Sequence, residues 1–324
     1  MQYLAKKFLY IDLAKKEAEV KSFPDLYIYL GGVGVGLKLY EMNEKQDPLV
    51  FSVGPLNGFF PFVSKTAVVL SSDNDGSPAY QEQLGAPSFE PSTSVVDKET
   101  QSKVEDVYFG GTLSYRIRFA GVDGIVFFGK ASEPLCINIV DDKVEFMPSY
   151  AAITNLGLPG KRSVLKFEKD RLVLDDFFLS YDNLVGKKFT EKNLDCVAIT
   201  GTRIFPIENP AKYEALYKDI LYMGCGDTLY QFLNGGKNLP QKNLEVTPGR
   251  TSSCSGCPLG CEEAKIGELG GNVLTHCLVA CDFAKDLYSD ASIVFSCLNV
   301  LGYDYKHEDI EKVPALVEGL LRRI

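Results

Sequence analysis

Up to residue 205 the chain is built from short runs of β-branched and aromatic residues, with no long amphipathic helix between them. Seven runs stand out: KKFLYIDL, LVFSVG, KTAVVLSS, DGIVFFGK, CINIVDDKVEFM, DRLVLDDFFLS and CVAITGT, separated by Gly, Pro, Asn and Asp. Such residues suit a pleated, buried surface, and the separators are the residues that turns require. A doubly wound parallel sheet would need a helical crossover after each strand. The pattern therefore predicts mostly antiparallel sheets that pack on one another. Short helices are expected over LGGVGVGLKLYEM and after Pro159. The stretch from Tyr80 to Val107, rich in Ser, Glu, Gln and Pro, has weak periodicity and reads as a long surface excursion.

After Pro206 the period changes. NPAKYEALYKDILYMG, DTLYQFLNGG, NVLTHCLVACDFAKDLY, SDASIVFSCLNVLG and HEDIEKVPALVEGLLRRI carry apolar residues at helical spacing, with Asn209 and Ser289 placed to cap helices. The expected architecture is α+β. A β-rich domain over 1–205, an antiparallel domain of two packed sheets, precedes a smaller α-helical domain over 206–324 that carries a cysteine loop. No internal repeat is present.

At 324 residues the chain can bury one large core or two ordinary ones. Its 45% apolar and 24% charged residues exclude a disordered chain. Lys and Arg total 34 against 43 Asp and Glu, a net charge of −9 with no basic stripe, which argues against nucleic acid as a partner. The N-terminus, MQYLAKKFLYIDLAKKEAEV, has no apolar stretch of signal-peptide length, and no apolar run reaches the length of a membrane span. These features predict a cytoplasmic protein with no membrane partner.

A reducing compartment gives its nine cysteines meaning, because structural disulfides are disfavoured there. Cys136 and Cys196, in the apolar contexts LCINIV and DCVAIT, read as buried core thiols. The other seven crowd between Cys225 and Cys297. Within them, CSGCPLGC places Cys254, Cys257 and Cys261 as Cys-x2-Cys-Pro-x2-Cys. Gly256 and Gly260 allow unusual backbone angles and Pro258 fixes one, so the thiols can converge on one point. A 4Fe–4S cube takes four thiolates, and backbone N–H groups of such a loop can bond its sulfides. Cys277 and Cys281, spaced i, i+4 on an expected helix, are the nearest candidates for the fourth ligand; they read equally as small core residues. Cys225 and Cys297 are more distant candidates. Structural zinc is the alternative for the loop, but zinc sites more often pair separated Cys-x2-Cys units or add histidines, and only His276 is near.

Other motifs are weaker. The glycines of LGGVGVG, at 31, 32, 34 and 36, miss the G-x-G-x-x-G spacing of dinucleotide binders and point instead to a turn or close packing. No G-x-S-x-G or H-E-x-x-H occurs. His276 reads as a packed helical residue and His307 as a solvated one at a helix N-terminus.

Taken in order, LGGVGVGLKLYE, DPLVFSVGPLNG, FGGTLSYRIRFAGVDGIVFFGKASEP, EKNLDCVAITGT and CSGCPLGC resemble the aldehyde:ferredoxin oxidoreductase family. These are tungsten- or molybdenum-pterin enzymes with a nearby 4Fe–4S cluster. The resemblance is collinear over nearly the whole chain, and GPLNG, RFAGVDGIVFFGKA and CSGCPLGC together make it specific. It implies an N-terminal β domain forming a base under the pterin, followed by helical domains. It also implies that the family's third domain is missing here, with the fourth cluster cysteine and a histidine proposed to act in catalysis.

The resemblance further implies changed pterin contacts. Lys65 stands for an arginine and loses its bidentate fork. Tyr108-Phe109-Gly110-Gly111 stands for Asn-Ser-Gly-Gly, whose asparagine lies near the pterin phosphates. Tyr181-Asp182-Asn183-Leu184 stands for Gly-Arg-Gly-Gly, putting an acid where a phosphate-binding cation stood. Asn299-Val300-Leu301-Gly302-Tyr303 replaces Asp-x-x-Gly-Leu, and Gly270-Gly271-Asn272-Val273-Leu274 replaces the acidic run that carries the family's catalytic glutamate.

The expectation that follows is an iron–sulfur protein without tungstopterin or molybdopterin, with no catalytic residue to name. It would act in electron transfer with a redox partner protein, or as a subunit of a larger oxidoreductase; an oligomer is compatible with the sequence. One alternative is a tungstopterin aldehyde oxidoreductase completed by a second polypeptide. Another is a zinc-stabilised scaffold without redox activity.

Overall fold

A computed structural model of the chain describes residues 5–72, 103–148, 162–168, 171–176, 178–179, 183–233, 273–279 and 285–324. Six strands, β1 (Lys6–Asp12), β2 (Glu17–Phe23), β3 (Leu49–Ser52), β4 (Thr66–Ser72), β5 (Lys103–Phe109) and β6 (Gly124–Phe128), form one sheet in the order β2-β1-β6-β3-β4-β5. A second sheet has β7 (Leu135–Val140), β8 (Lys143–Pro148), β9 (Arg162–Glu168), β10 (Arg171–Leu174), β11 (Phe178–Leu179) and β12 (Leu194–Thr200), in the order β11-β10-β9-β12-β7-β8. All seven sequence runs become strands, and the fold is α+β as expected.

The sheets are mixed, which corrects the antiparallel expectation in part. Eight of the ten ladders are antiparallel, but β1 runs parallel to β6 and β7 parallel to β12. Both parallel pairs join strands far apart in sequence, so the intervening elements provide the return that a parallel pair needs.

Two other expectations fail. Residues 103–107, read as part of a surface excursion, belong to β5, which pairs with β4 from Thr66↔Phe109 to Ser72↔Lys103; residues 80–102 lie outside the described part. β5 is an edge strand bearing Lys103, Glu105 and Asp106, and edge charges mask the apolar alternation. The region after Pro159 is strand β9 rather than a helix.

The alternation of β1 explains the layering. Leu9 and Ile11 face a core shared with the second sheet, where Ile137, Leu165, Val197 and Ile199 meet Phe51, Ile125 and Phe127. Phe8 and Tyr10 face the other way, into a core shared with helices. The first sheet is thus covered on both sides, by the second sheet and by a helical layer.

That layer begins with α1 (Gly32–Asn43), the helix expected over LGGVGVGLKLYEM. Two short helices, α2 (Leu113–Phe119) and α3 (Leu184–Glu191), pack at the sheet–sheet core through Leu113, Ile117, Val185 and Phe189. Then come α4 (Pro210–Leu233), α5 (Val273–Cys277), α6 (Lys285–Tyr288), α7 (Ala291–Val300), α8 (His307–Glu311) and α9 (Val313–Leu321). Val273, Leu274, Leu298, Val317 and Leu320 join Val33, Leu37 and Leu39 of α1 in one apolar cluster, so residues on both sides of position 205 share a core.

Asn209 caps α4 as expected, its Oδ1 accepting the Lys212 N–H at 2.9 Å. For α7 the cap is Asp290 and not Ser289: the Asp290 carboxylate accepts the Ser292 N–H at 2.8 Å, while the Ser289 hydroxyl donates to the Asp286 carbonyl. Among the described residues no helix is long and apolar enough to cross a membrane.

Candidate functional site

LGGVGVG, the GPLNG loop and the end of β5 meet where α5 docks on the first sheet. Gly32, in the left-handed region at φ +48°, lies so close to the end of α5 that a Cβ there would sit 2.6 Å from the His276 carbonyl oxygen and 2.7 Å from that of Cys277. A Cβ on Gly34 would lie 2.8 Å from the Cys277 sulfur. The glycines of LGGVGVG thus serve close helix packing, as their spacing suggested.

The GPLNG loop forms the floor. Asn57, fully buried, accepts the Gly54 N–H at 2.8 Å and donates to the Lys65 carbonyl at 2.7 Å. One side chain therefore closes the turn and fixes the approach to β4. Lys65 itself is 1% exposed.

RFAGVDG has a comparable role at the sheet margin. Arg118 Nη1 donates to Asp123 Oδ1 at 2.8 Å, Lys6 Nζ lies 3.5 Å from the same oxygen, and the Lys7 N–H donates to Asp123 Oδ2 at 2.9 Å. Burial alone would raise the Asp123 pKa, but the Lys6 and Arg118 charges and the Lys7 N–H hold it below the usual carboxylate range. The Arg118 guanidinium lies 5.1 Å from the centre of the Phe205 ring and 5.8 Å from that of Tyr303. This cluster ties β1, α2 and β6 to the helical layer.

Between β5 and α5, Tyr108 and His276 form a buried pair, with the phenolic oxygen 2.8 Å from His276 Nδ1. They are 4% and 8% exposed. His276 is the packed helical residue its sequence context predicted. The loop after β5 is anchored as well: Asp175 accepts both the N–H and the hydroxyl of Thr112, at 3.1 and 2.7 Å.

Cys254, Cys257, Cys261 and Cys281 lie outside the described residues, as do Tyr181, Asp182 and residues 270–272. Cys277 lies inside them, fully buried, and burial pushes its thiol up to about 12 despite a hydrogen bond with the Gly34 backbone. The helix carrying it ends at Cys277, and Val279 follows in the left-handed region at φ +54°. The helix expected through NVLTHCLVACDFAKDLY is therefore interrupted after Cys277, at a tight turn packed against Gly32; the i, i+4 relation to Cys281 lies outside the described residues. Cys297 is likewise buried, its thiol pushed up to about 12 by burial. Asn299 stands on the exposed side of α7, and His307 opens α8, its Nε2 3.1 Å from the Ser292 hydroxyl. Among the described residues no three His, Cys, Asp or Glu side chains gather to hold a metal ion.

Sequence reasoning did not foresee the Tyr108–His276 pair. Its members are 168 residues apart, and no local signal joins them.

Residues 82–166 match the N-terminal domain of aldehyde ferredoxin oxidoreductase. The fold is similar to a chain of the active-site complex BamBC of benzoyl-coenzyme A reductase, solved with 1,5-dienoyl-CoA, at a TM-score of 0.54 and 21% identity over 74% of this chain. Over residues 82–166 the chain is similar to the aldehyde ferredoxin oxidoreductase N-terminal domain, and the reductase chain shares its fold. It spans 37% of the length of that reductase chain. No functionally curated protein matches the sequence. Against the aldehyde ferredoxin oxidoreductase match, the described part of 82–166 holds β5, α2, β6, β7, β8 and the first residues of β9, which supply Arg118 and Asp123 of the ion cluster and Tyr108 of the Tyr108–His276 pair.

Proposed function

We propose that the chain is an iron–sulfur member of this oxidoreductase family that binds a 4Fe–4S cluster, carries no pterin, and acts in electron transfer or as a subunit of a larger redox complex. One observation carries the reading: the cysteine loop is intact while Tyr108, sealed by His276, stands where the resemblance places a phosphate-contacting asparagine. Cys254, Cys257 and Cys261 supply three thiolates, the donor set that a cubane cluster requires and prefers. The fourth comes from Cys281 or Cys277; the neutral, core-bound thiol of Cys277 favours Cys281. The cluster would supply one-electron chemistry, and the chain's own residues position it by holding α5 on α1 and on the GPLNG floor.

The pterin side fits poorly. A phenol is larger than an asparagine side chain, and its hydroxyl is engaged with His276. Asp182, in place of the family's arginine, would repel a phosphate. The similarity to a chain of an active-site complex favours one second reading, in which another polypeptide completes a tungstopterin site with divergent ligands.

The test is iron and acid-labile sulfide in anaerobically purified protein. The wild-type chain should hold both, with a visible sulfur-to-iron absorption band that zinc thiolates lack. Cys257→Ser should lose the band and most of the iron, and should unfold more readily in its helical part. A Cys257→Ser protein with a full complement of iron and sulfide would overturn the assignment.

A further inference from the structure

Cys136 and Cys196 stand directly opposite each other on the parallel strands β7 and β12. They do so because of a register shift. Leu194 faces Leu135, but the next paired residue is Cys196, so Asp195 is the extra residue of a bulge. Without it Asp195 would face Cys136; the bulge re-aims the thiol. The two side chains lie on the face of the second sheet away from the first, in a small cluster with Ala198, Met147 and Val164. Both are fully buried free thiols, and they hydrogen-bond to each other.

Neighbouring strands lie about 4.8 Å apart, inside the Cα–Cα range of about 4.4–6.8 Å that a disulfide accepts. An open cleft of about 690 Å³ reaches the ends of these strands and is lined by Pro134, Leu194 and Asp195, within two residues of each thiol.

We propose that Cys136 and Cys196 are a redox-active dithiol that hydrogen peroxide closes reversibly to a cross-strand disulfide. The Cys136 thiolate attacks one peroxide oxygen, the O–O bond breaks, and a sulfenic acid forms with release of hydroxide. The Cys196 sulfur then attacks the sulfenic sulfur and displaces water. In sum, two thiols and one peroxide give one disulfide and two waters; each sulfur loses one electron and the peroxide gains both. A dithiol reductant reopens the bond by exchange. The order follows from the hydrogen bond: the Cys196 S–H stabilises the Cys136 thiolate and holds its pKa below the ordinary thiol value, while Cys196 is pushed up.

The test uses the full chain, purified anaerobically, treated with stoichiometric hydrogen peroxide, alkylated after denaturation and digested without reductant. The expected product is a peptide pair joined through Cys136 and Cys196, lighter by two hydrogens than the separate peptides and lost after dithiothreitol. In Cys196→Ala, dimedone should trap Cys136 as the sulfenic acid; if that variant fails to fold, the wild-type peptide map decides alone. Recovery of both residues as alkylated thiols, while other cysteines of the chain are oxidised, would overturn the proposal. So would a cross-link from Cys136 to any other cysteine.

Discussion

The two faces of the first sheet are buried to a similar degree and carry different chemistry. The face against the second sheet is packed with apolar side chains, among them Leu9, Phe51, Ile125 and Phe127. The face against the helices mixes Phe8 and Val50 with polar groups embedded at its margin: Asn57, Lys65, Tyr108 and His276. A purely apolar interface fixes the base without specifying any ligand. Embedded polar groups must each be satisfied, so they specify one docking geometry for α5. The site is expected on the second face.

The largest effect should come from the apolar face. Phe51 and Phe127 meet edge to face with ring centres 5.5 Å apart, and both are fully buried. Phe127→Ala should cost about 4 kcal/mol through lost burial and the cavity left behind. Urea unfolding would measure it, and a loss below about 1 kcal/mol would mean that the two sheets do not share a rigid core.

Next comes the ion cluster joining the two faces. Asp123→Asn leaves Lys6 and Arg118 buried without their carboxylate and should cost about 3 kcal/mol. Because the folded Asp123 pKa lies below its unfolded value, its stabilisation is present above about pH 4 and fades as the pH falls through the folded pKa. The wild-type chain should therefore lose stability more steeply on acidification than Asp123→Asn. Parallel thermal melts across the acid range would check this, and identical slopes would contradict it.

The smallest effect belongs to the polar pair. Tyr108→Phe keeps the ring and removes the hydroxyl, so it should cost about 1 kcal/mol. The His276 proton resonances should shift while those of Phe127 stay in place, which two-dimensional NMR can read. A shift confined to the sheet–sheet face would break the distinction between the two faces.

Strands with buried faces were legible because alternation and turn residues coincide in KTAVVLSS and DGIVFFGK. Edge strands were not: β2 reads EAEVKSF and β5 KVEDVYF, where charges that protect an open edge erase the pattern. The break after Cys277 was hidden for a different reason. NVLTHCLVACDFAKDLY has sound helical spacing, and only packing against Gly32 turns the chain at Val279. Of the site, the cysteine loop is read from spacing alone and lies outside the described residues. The pairing of Tyr108 with His276 and the bulge that aligns Cys196 with Cys136 depend on tertiary register, which no local pattern encodes.

The proposed function is that of an iron–sulfur protein without a pterin. Element analysis of the anaerobically purified chain, by inductively coupled plasma mass spectrometry, tests it most directly. Iron in cluster stoichiometry is expected, with tungsten and molybdenum at background. Tungsten or molybdenum in stoichiometric amount would contradict it and would place a pterin beside Tyr108 after all.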